Sequence, residues 1–457
     1  MVILMSDLLA TATASTQTTS HAAINPVTMT PATAQLAKQH QMMMQLALIP
    51  TLMRKFFPMT NVIQHYAWGS TSSINQLFDI KNPSGEPQAE VWMGAHSNGC
   101  STVGYGDYAT KLSTLIDCNQ TLFLSGRVAN RFGELPYLFK ILAAEKALSI
   151  QVHPNKAQAE QGFALEQQQG IPLDAGNRNY KDPNHKPELV YALTQYQAMN
   201  GFRSIEQIIA NFNQLAITEF ETWLDALQAN PTPQGLATFF SALLSMTGQT
   251  KEQALAKLSD YARRYSTHYV KHSASQSDAP VFALIAELEQ QYPGDVGLFA
   301  PLLLNVITLQ PGQAMFLDAE TPHAYIKGTG LEIMANSDNV LRAGLTPKYI
   351  DVEELIACTR FDEKPFDSLL LQPNEADDIL DYPTPVDDFK FAIIQRSHQR
   401  VMHTNSAEIL LPLDHSMTLT HQDGESSVIE KGQSVFIPAY AQSYQIECAG
   451  RVARAYS

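Results

Sequence analysis

Three polar side chains alternate along a short segment that follows an apolar run. Ser149, Gln151 and His153 are each two residues apart, with Ile150 and Val152 between them. On a β-strand, residues two apart point to the same face. A hydroxyl, an amide and an imidazole on one wall are a plausible start to a metal and sugar pocket. Taken alone, the triplet is more typical of a strand with one hydrated face.

Three further segments carry matching chemistry. Glu188 follows a proline and opens a short β-like run, and His323 follows Pro322 after a strand–turn pattern. Residues 330–348 hold two acids and two bases in an otherwise apolar stretch: Glu332, Asp338, Arg342 and Lys348. Together these segments offer two imidazole nitrogens and two oxygens, from Gln151, His153, Glu188 and His323. Zinc accepts this mixture of ligands with one position left open for water or substrate.

Five blocks of sequence, in this order, resemble the type I phosphomannose isomerase family. They are Gln-His-Tyr-Ala-Trp-Gly-Ser at 64–70, Ala-Glu-Val-Trp-Met-Gly-Ala-His at 89–96, Ser-Ile-Gln-Val-His-Pro at 149–154, His-Lys-Pro-Glu-Leu at 185–189 and Leu-Arg-Ala-Gly-Leu-Thr-Pro-Lys at 341–348. The resemblance runs from about Val62 to the C-terminus. Five ordered blocks are far more specific than any one of them.

The resemblance implies the fold, the cofactor and the reaction. The expected fold is mainly β with an inserted α-helical domain, built as two cupin-type jelly-roll barrels. One Zn²⁺ per chain is expected, with the family's ligands falling on Gln151, His153, Glu188 and His323. The expected activity interconverts mannose 6-phosphate and fructose 6-phosphate by moving a proton between C1 and C2 through an enediol(ate).

The chemistry of that reaction assigns further roles. Zinc bound to the substrate's oxygens would stabilise the charge that develops there, and Arg342 would support the same oxygens. A proton carrier is also needed. Glu332 and Lys186 are equal candidates for it, and His185 is a candidate for opening the sugar ring. The structural alternatives are a charge-balancing lysine, a glutamate that only accepts a hydrogen bond and an ordinary turn histidine.

The substrate pocket is predicted to include Ser149, Lys140, Lys348, Tyr325 and Trp68. The two lysines would pair with the phosphate, although Lys140 could instead extend from a core strand. Tyr325 shares the face of His323. Trp68 would line the sugar pocket, unless it only packs in the hydrophobic core. Asp338, four residues before Arg342, is predicted to orient that arginine.

Composition limits the partners. With 45 acidic and 30 basic residues the net charge is −15, which argues against nucleic acid or an anionic membrane as partner. The four cysteines lack CxxC spacing, as is typical of reduced thiols in the cytoplasm. We expect a cytoplasmic monomer that acts on a phosphorylated hexose.

A chain of 457 residues is expected to form two or three domains. Residues 1–58 are predicted to be a disordered extension or a misassigned start. Residues 59–202 with 299–370 would form the catalytic barrel, and the helical spacing of 203–298 predicts the insert. Residues 371–457 would form a metal-free barrel, because the pattern from Gly312 repeats from Gly432 with Gln442 or Ser443 in place of His323.

Two other classes of function compete with an isomerase. Two histidines and a carboxylate also describe the facial triad of an iron oxygenase, although the fourth ligand Gln151 and the nearby Lys and Arg residues argue against it. A non-enzymatic sugar-binding cupin would be expected to have lost ligands, and the first barrel retains the expected set.

Overall fold

The computed structural model describes residues 54–105, 108–272 and 279–457. Residues 1–53 of the predicted extension lie outside the described residues. The prediction that the extension continues to residue 58 is wrong at its C-terminal end, because Phe56 and Phe57 are fully buried. The physical reason is strand pairing: Phe57 and Pro58 pair with Phe436 and Val435, far along the chain.

The chain up to residue 202 alternates short helices with strands. These elements are β1 (Phe57–Thr60), β2 (Val62–Gln64), α1 (Ser73–Phe78), β3 (Glu90–Met93), β4 (Thr102–Tyr105), β5 (Tyr108–Lys111), α2 (Leu112–Cys118), α3 (Gln120–Leu124), α4 (Gly126–Phe132), β6 (Tyr137–Ala144), β7 (Ile150–Val152), α5 (Lys156–Gln168), β8 (Glu188–Ala192) and β9 (Tyr196–Phe202).

Helices follow as far as residue 303. They are α6 (Ile205–Gln214), a 3₁₀ turn (Thr218–Phe220), α7 (Glu221–Ala229), α8 (Pro233–Leu244), α9 (Gly248–His272), α10 (Ala279–Gln291), a 3₁₀ turn (Val296–Phe299) and α11 (Ala300–Leu303). Pro233 occupies the first turn of α8, where its missing N–H is not needed. Aromatic side chains fill the interior, with Phe212 against both Phe239 and Phe299.

Strands then resume and continue to the C-terminus. They are β10 (Leu304–Leu309), β11 (Ala314–Leu317), β12 (His323–Ala335), β13 (Leu341–Gly344), α12 (Val352–Cys358), a 3₁₀ turn (Phe366–Ser368), β14 (Leu370–Leu371), β15 (Asn374–Ala376), β16 (Ile379–Tyr382), β17 (Lys390–Ile394), β18 (Ser397–His403), β19 (Glu408–Pro412), β20 (Met417–Thr420), β21 (Ser426–Ile429), β22 (Val435–Ile437), a 3₁₀ turn (Ala439–Ala441), β23 (Ser443–Cys448) and β24 (Val452–Tyr456).

The long strand β12 links the two sheets of the first barrel. Its C-terminal half pairs with β6 and β8 in the order β14-β11-β8-β12-β6-β3-β2. Its N-terminal half pairs with β7 and β9, which continue to β13 and β10. The change of sheet falls at Gly328, whose φ of +124° a side chain would not tolerate, since a Cβ would lie 2.4 Å from the Gln195 carbonyl oxygen. This crossing brings residues distant in sequence onto one interior wall.

The second barrel repeats this plan with two separate strands. β24 pairs with β17 and β19, and β23 pairs with β18 and β20. The first sheet continues through β22 to β1, β4 and β5, so the start of the described chain completes the C-terminal barrel. Among the described residues, no helix is both long and apolar enough to cross a membrane.

Candidate metal centre

Two histidines and a glutamate converge inside the first barrel. His153, Glu188 and His323 are buried, and their ligand atoms lie within 4.8 Å of one another. Glu188 Oε1 is 3.1 Å from His153 Nε2, and Glu188 Oε2 is 3.6 Å from His323 Nε2. His153 directly follows β7, whereas Glu188 and His323 are the first residues of β8 and β12. The sheets therefore bring together three of the four predicted ligands.

Backbone carbonyls fix the orientation of both imidazoles. His153 Nδ1 lies 2.6 Å from the Asn339 carbonyl oxygen, and His323 Nδ1 lies 2.8 Å from that of Thr321. A carbonyl only accepts, so each Nδ1 carries the proton and each Nε2 presents a lone pair to the cluster. A lone pair 3.1 Å from a carboxylate oxygen is repulsive unless a cation lies between them. The donor set fits a divalent metal such as zinc.

The electrostatics of the cluster favour its metal-binding protonation states. Burial, reinforced by Lys186, lowers the pKa of His153 to about 4. Burial alone would raise the pKa of Glu188, but the charge of Lys186 holds it well below its usual range. Lys186 Nζ is 3.2 Å from Glu188 Oε1, and the Tyr325 hydroxyl donates to Glu188 Oε2 at 2.6 Å. Neutral histidines and an ionised carboxylate are the forms that bind metal.

The fourth predicted ligand lies on the strand between two site residues. Gln151 pairs with His323 on one side and with Arg342 on the other. Its side chain is half-buried, whereas Ile150 and Val152 beside it are buried. This agrees with the alternation expected of the segment and places Gln151 next to a ligand of the cluster.

Lys140 lies between two carboxylates. Its Nζ is 2.7 Å from Glu332 Oε2 and 3.7 Å from Glu90 Oε1, and all three side chains are buried. Burial, with the charges of Glu188 and Glu90 added, raises the pKa of Glu332 despite the opposing effect of Lys140. The prediction that Lys140 binds the phosphate is therefore not supported, because two carboxylates already match its charge.

Arg342 and Lys348 form the cationic side of the site. Arg342 is half-buried and makes no hydrogen bond or ion pair with any residue in the described ranges. Burial, with the nearby charges of Arg342 and Lys181, lowers the pKa of Lys348. Cations held close together without carboxylate partners are suited to an anion.

Asp338 does not orient Arg342, as the sequence had suggested. Its Oδ1 lies 3.4 Å from His96 Nε2, and its Oδ2 accepts a hydrogen bond from Asn98 Nδ2 at 2.6 Å. The loop that carries Asp338 is turned toward these residues because the Asp338 N–H donates to Asp182 at 2.7 Å. A spacing of four residues implies contact only on a helix, and Arg342 lies on a strand.

The remaining predicted residues are His185, Trp68 and Ser149. His185 Nε2 is 3.0 Å from both carboxylate oxygens of Asp388, a residue that precedes β17. Trp68 is partly buried and stacks on Tyr66, with ring centroids 5.7 Å apart. Ser149 is half-buried immediately before β7.

Glu90 and Asn339 are the residues that sequence reasoning missed. Glu90 and Trp92 alternate within the quoted block at 89–96, so their shared face was readable, but their contact with Lys140 was not. Asn339 holds the loop of residues 181–184, since its amide donates to the carbonyl oxygens of Asp182 and Asn184. No local pattern marked it.

A jelly-roll barrel with two oriented imidazoles and a buried carboxylate defines a metal-dependent protein of the cupin class. Comparison with known proteins defines the family. Three family models match: "Phosphomannose isomerase type I, catalytic domain" over residues 56–205, "Phosphomannose isomerase type I, helical insertion domain" over 209–304 and "Mannose-6-phosphate isomerase, cupin domain" over 378–457. The chain belongs to the type I phosphomannose isomerase family.

Individual relatives agree along most of their length. Mannose-6-phosphate isomerase of Salmonella typhimurium is 45% identical over 404 residues, which cover 87% of this chain and 98% of the relative. The human enzyme is 34% identical over 412 residues, covering 84% and 94%. A zinc-bound crystal structure of mannose 6-phosphate isomerase superimposes with a TM-score of 0.81 at 43% identity, covering 88% of this chain and all of that one.

Proposed function

We propose that this protein is a zinc-dependent aldose–ketose isomerase that interconverts mannose 6-phosphate and fructose 6-phosphate. The observation that carries the proposal is the buried cluster of His153, Glu188 and His323, whose two imidazoles direct their lone pairs inward. Gln151, beside His323, is the fourth ligand. Sequence relatives that carry this name along nearly their whole length support the same reaction.

When bound, the zinc ion supplies Lewis-acid stabilisation of the negative charge that develops on the substrate's O1 and O2. The protein's own residues prepare that place. The Asn339 and Thr321 carbonyls hold the two imidazoles, and Tyr325 holds Glu188. Arg342 has no carboxylate partner in the described ranges, so its charge is available to the same oxygens.

Glu332 is the group that carries the proton. The proton leaves C2 for the Glu332 carboxylate and returns from it to C1. Its raised pKa makes Glu332 a stronger base than an ordinary carboxylate. Lys186 is the weaker candidate, because its Nζ lies 3.2 Å from Glu188 Oε1 and pairs with that carboxylate.

The substrate's phosphate binds at Lys348, beside Arg342. The other predicted contacts remain proposals: Ser149, Tyr325 and Trp68 with the sugar, and His185 in ring opening. Asp338 acts through His96 and Asn98 rather than through Arg342. We also propose the domain division expected from the sequence, with 59–202 and 299–370 as the catalytic barrel, 203–298 as the insert and 371–457 as a barrel without metal, although β1 pairs with the last of these.

The proposed setting is the cytoplasm, where the protein acts as a monomer on a phosphorylated hexose, with neither nucleic acid nor membrane as partner. Its acidic net charge of −15 supports the last point. The cationic pair Arg342 and Lys348 is a local exception to that charge, as a phosphate site requires.

A coupled assay for fructose 6-phosphate tests the function directly. Mannose 6-phosphate should be converted by the purified protein, a chelator should abolish conversion, and added Zn²⁺ should restore it. Free mannose should be a far poorer substrate, because binding energy from the phosphate contributes to turnover. A chelator-resistant activity, or equal kcat/KM for the two sugars, would contradict the proposal.

A further inference from the structure

A buried carboxylate with no role in the proposed mechanism lies against Lys140. Glu90 Oε1 is 3.7 Å from Lys140 Nζ, on the opposite side from Glu332. The other oxygen of Glu90 accepts a hydrogen bond from Trp92 Nε1 at 2.6 Å. Lys140 Nζ also lies 5.2 Å from the centre of the Trp92 ring. Glu90 is thus held in place by a neutral donor while its charge faces Lys140.

The sheet sets this arrangement. Trp92 pairs with Lys140 across β3 and β6, and Lys140 pairs with Glu332 across β6 and β12. Directly paired residues on adjacent strands point to the same face. Glu90 lies two residues before Trp92 on that face and is the first residue of β3. The spacing of the charges is therefore a property of the barrel wall.

We propose that Glu90 is a positioning residue for the isomerisation, which keeps Lys140 paired while Glu332 holds the proton taken from C2. The inference rests on the proposed function with Glu332 as the base. When the C2–H bond breaks, its electron pair stays on the substrate as the enediolate and an O–H bond forms on Glu332. That O–H bond breaks again when the C1–H bond forms.

Charge balance is the reason for a second carboxylate. A buried ammonium without a partner is costly. Ionised Glu332 satisfies Lys140, but protonated Glu332 does not, and at that moment Glu90, 3.7 Å from Lys140 Nζ, is the carboxylate that pairs with it. Without Glu90, protonation of Glu332 would leave Lys140 unpaired and would become less favourable. Glu332 would then be a weaker base.

Some of the groups around Glu332 raise its pKa and others lower it. The charged groups that face Glu332 are Lys140 on β6, Glu188 on β8, Glu90 on β3 and Lys186 in the loop before β8. Two tyrosines also face it, Tyr196 on β9 and Tyr325 on β12. Substitution of Glu90 by Gln removes one negative charge from this set and keeps an oxygen that can accept from Trp92. The expected consequence is a lower pKa for Glu332.

The test is the pH profile of kcat/KM for Glu90→Gln, measured per folded, zinc-loaded molecule. Because the base is active when deprotonated, the acid limb should move to lower pH. A weaker base also transfers protons more slowly, so kcat should fall roughly 10-fold with little change in KM. An acid limb that stays at the wild-type pH would overturn the inference.

Two further variants separate this role from simple folding. Glu90→Asp keeps the charge, so its acid limb should coincide with that of the wild type even if it is less stable; a shift equal to that of Glu90→Gln would contradict the inference. Glu408→Gln removes a buried, cation-paired carboxylate from the other barrel and should leave the profile unmoved. A wild-type protein that does not interconvert the two sugar phosphates would instead defeat the proposed function itself.

Discussion

The two barrels hold the same carboxylate and tyrosine, but they neutralise the carboxylate differently. In the first barrel Tyr325 donates to Glu188 at 2.6 Å, and in the second Tyr444 donates to Glu408 at 2.9 Å. Glu188 begins β8, which pairs with β11, the strand that follows Gly312. Glu408 begins β19, which pairs with β22, the strand that follows Gly432. The correspondence follows from the fold, because the tyrosine and the glutamate come from the matching strands.

The positive charge marks the difference. In the second barrel Arg454 donates to both oxygens of Glu408, one of them at 3.0 Å from Nε. Arg454 and Glu332 occupy matching positions in the two barrels. Arg454 lies opposite Leu410, two residues after Glu408. Glu332 lies opposite Val190, two residues after Glu188. The second barrel thus places a guanidinium on both oxygens of its carboxylate, whereas the first places Lys186 at one oxygen and the lone pairs of two imidazoles around the pair. A fixed guanidinium makes a structural ion pair; imidazole lone pairs make a place for a metal.

The largest effect is expected at the imidazole that the second barrel lacks. His323→Ala should lose both zinc and isomerase activity, because it removes one of the two imidazole ligands from the site. Gln442→Ala, at the matching position of the second barrel, should retain both. Elemental analysis and the coupled assay measure the two outcomes. Stoichiometric zinc in purified His323→Ala would contradict the metal assignment.

The two arginines should separate catalysis from stability. Arg342→Ala should lower kcat on the order of 10²-fold, as expected for loss of a group that stabilises developing negative charge, with a smaller change in KM. The assay must be referred to folded, zinc-loaded molecules. Near-wild-type kcat on that basis would make Arg342 a structural residue, although it has no ion-pair partner in the described ranges.

Arg454→Met should show the opposite behaviour. It leaves Glu408 buried without its cation, so the free energy of unfolding should fall by about 3–5 kcal/mol. Denaturant titration measures the loss, and kcat per folded molecule should be unchanged. A fall in kcat without a fall in stability would mean that the second barrel takes part in the reaction.

The metal ligands were expected from the family resemblance, whose motifs are short local patterns, and the structure brings together three of them, His153, Glu188 and His323. Alternation placed Gln151 and His153 on one face, and a proline marked the segments of Glu188 and His323. The second barrel was expected from the same resemblance, and the repeat of the Gly312 pattern at Gly432 supported it. These features depend only on neighbours in sequence. The face of a strand on which a residue lies can therefore be predicted without knowing which strand pairs with it.

Contacts between strands could not be predicted in this way. Lys140 was assigned to the phosphate because nothing in sequence shows that β6 lies between β3 and β12, which carry Glu90 and Glu332. Asp338 was assigned to Arg342 by spacing, whereas its partner His96 is more than two hundred residues away. The pairing of Phe57 with Phe436, which ties the start of the described chain to the second barrel, is equally non-local.

The smallest effects are expected from the paired tyrosines, which make the same hydrogen bond in different settings. Tyr325→Phe removes a donor that orients a metal ligand, so zinc affinity should fall by roughly 10–100-fold. Tyr444→Phe removes a donor from a carboxylate that Arg454 still holds, so only stability should change, by about 1.5–3 kcal/mol. Competition with a metal indicator measures the first, and denaturant titration the second. If Tyr444→Phe weakened zinc binding as much as Tyr325→Phe, the two carboxylates would not be functionally distinct, and the contrast between the barrels would have to be abandoned.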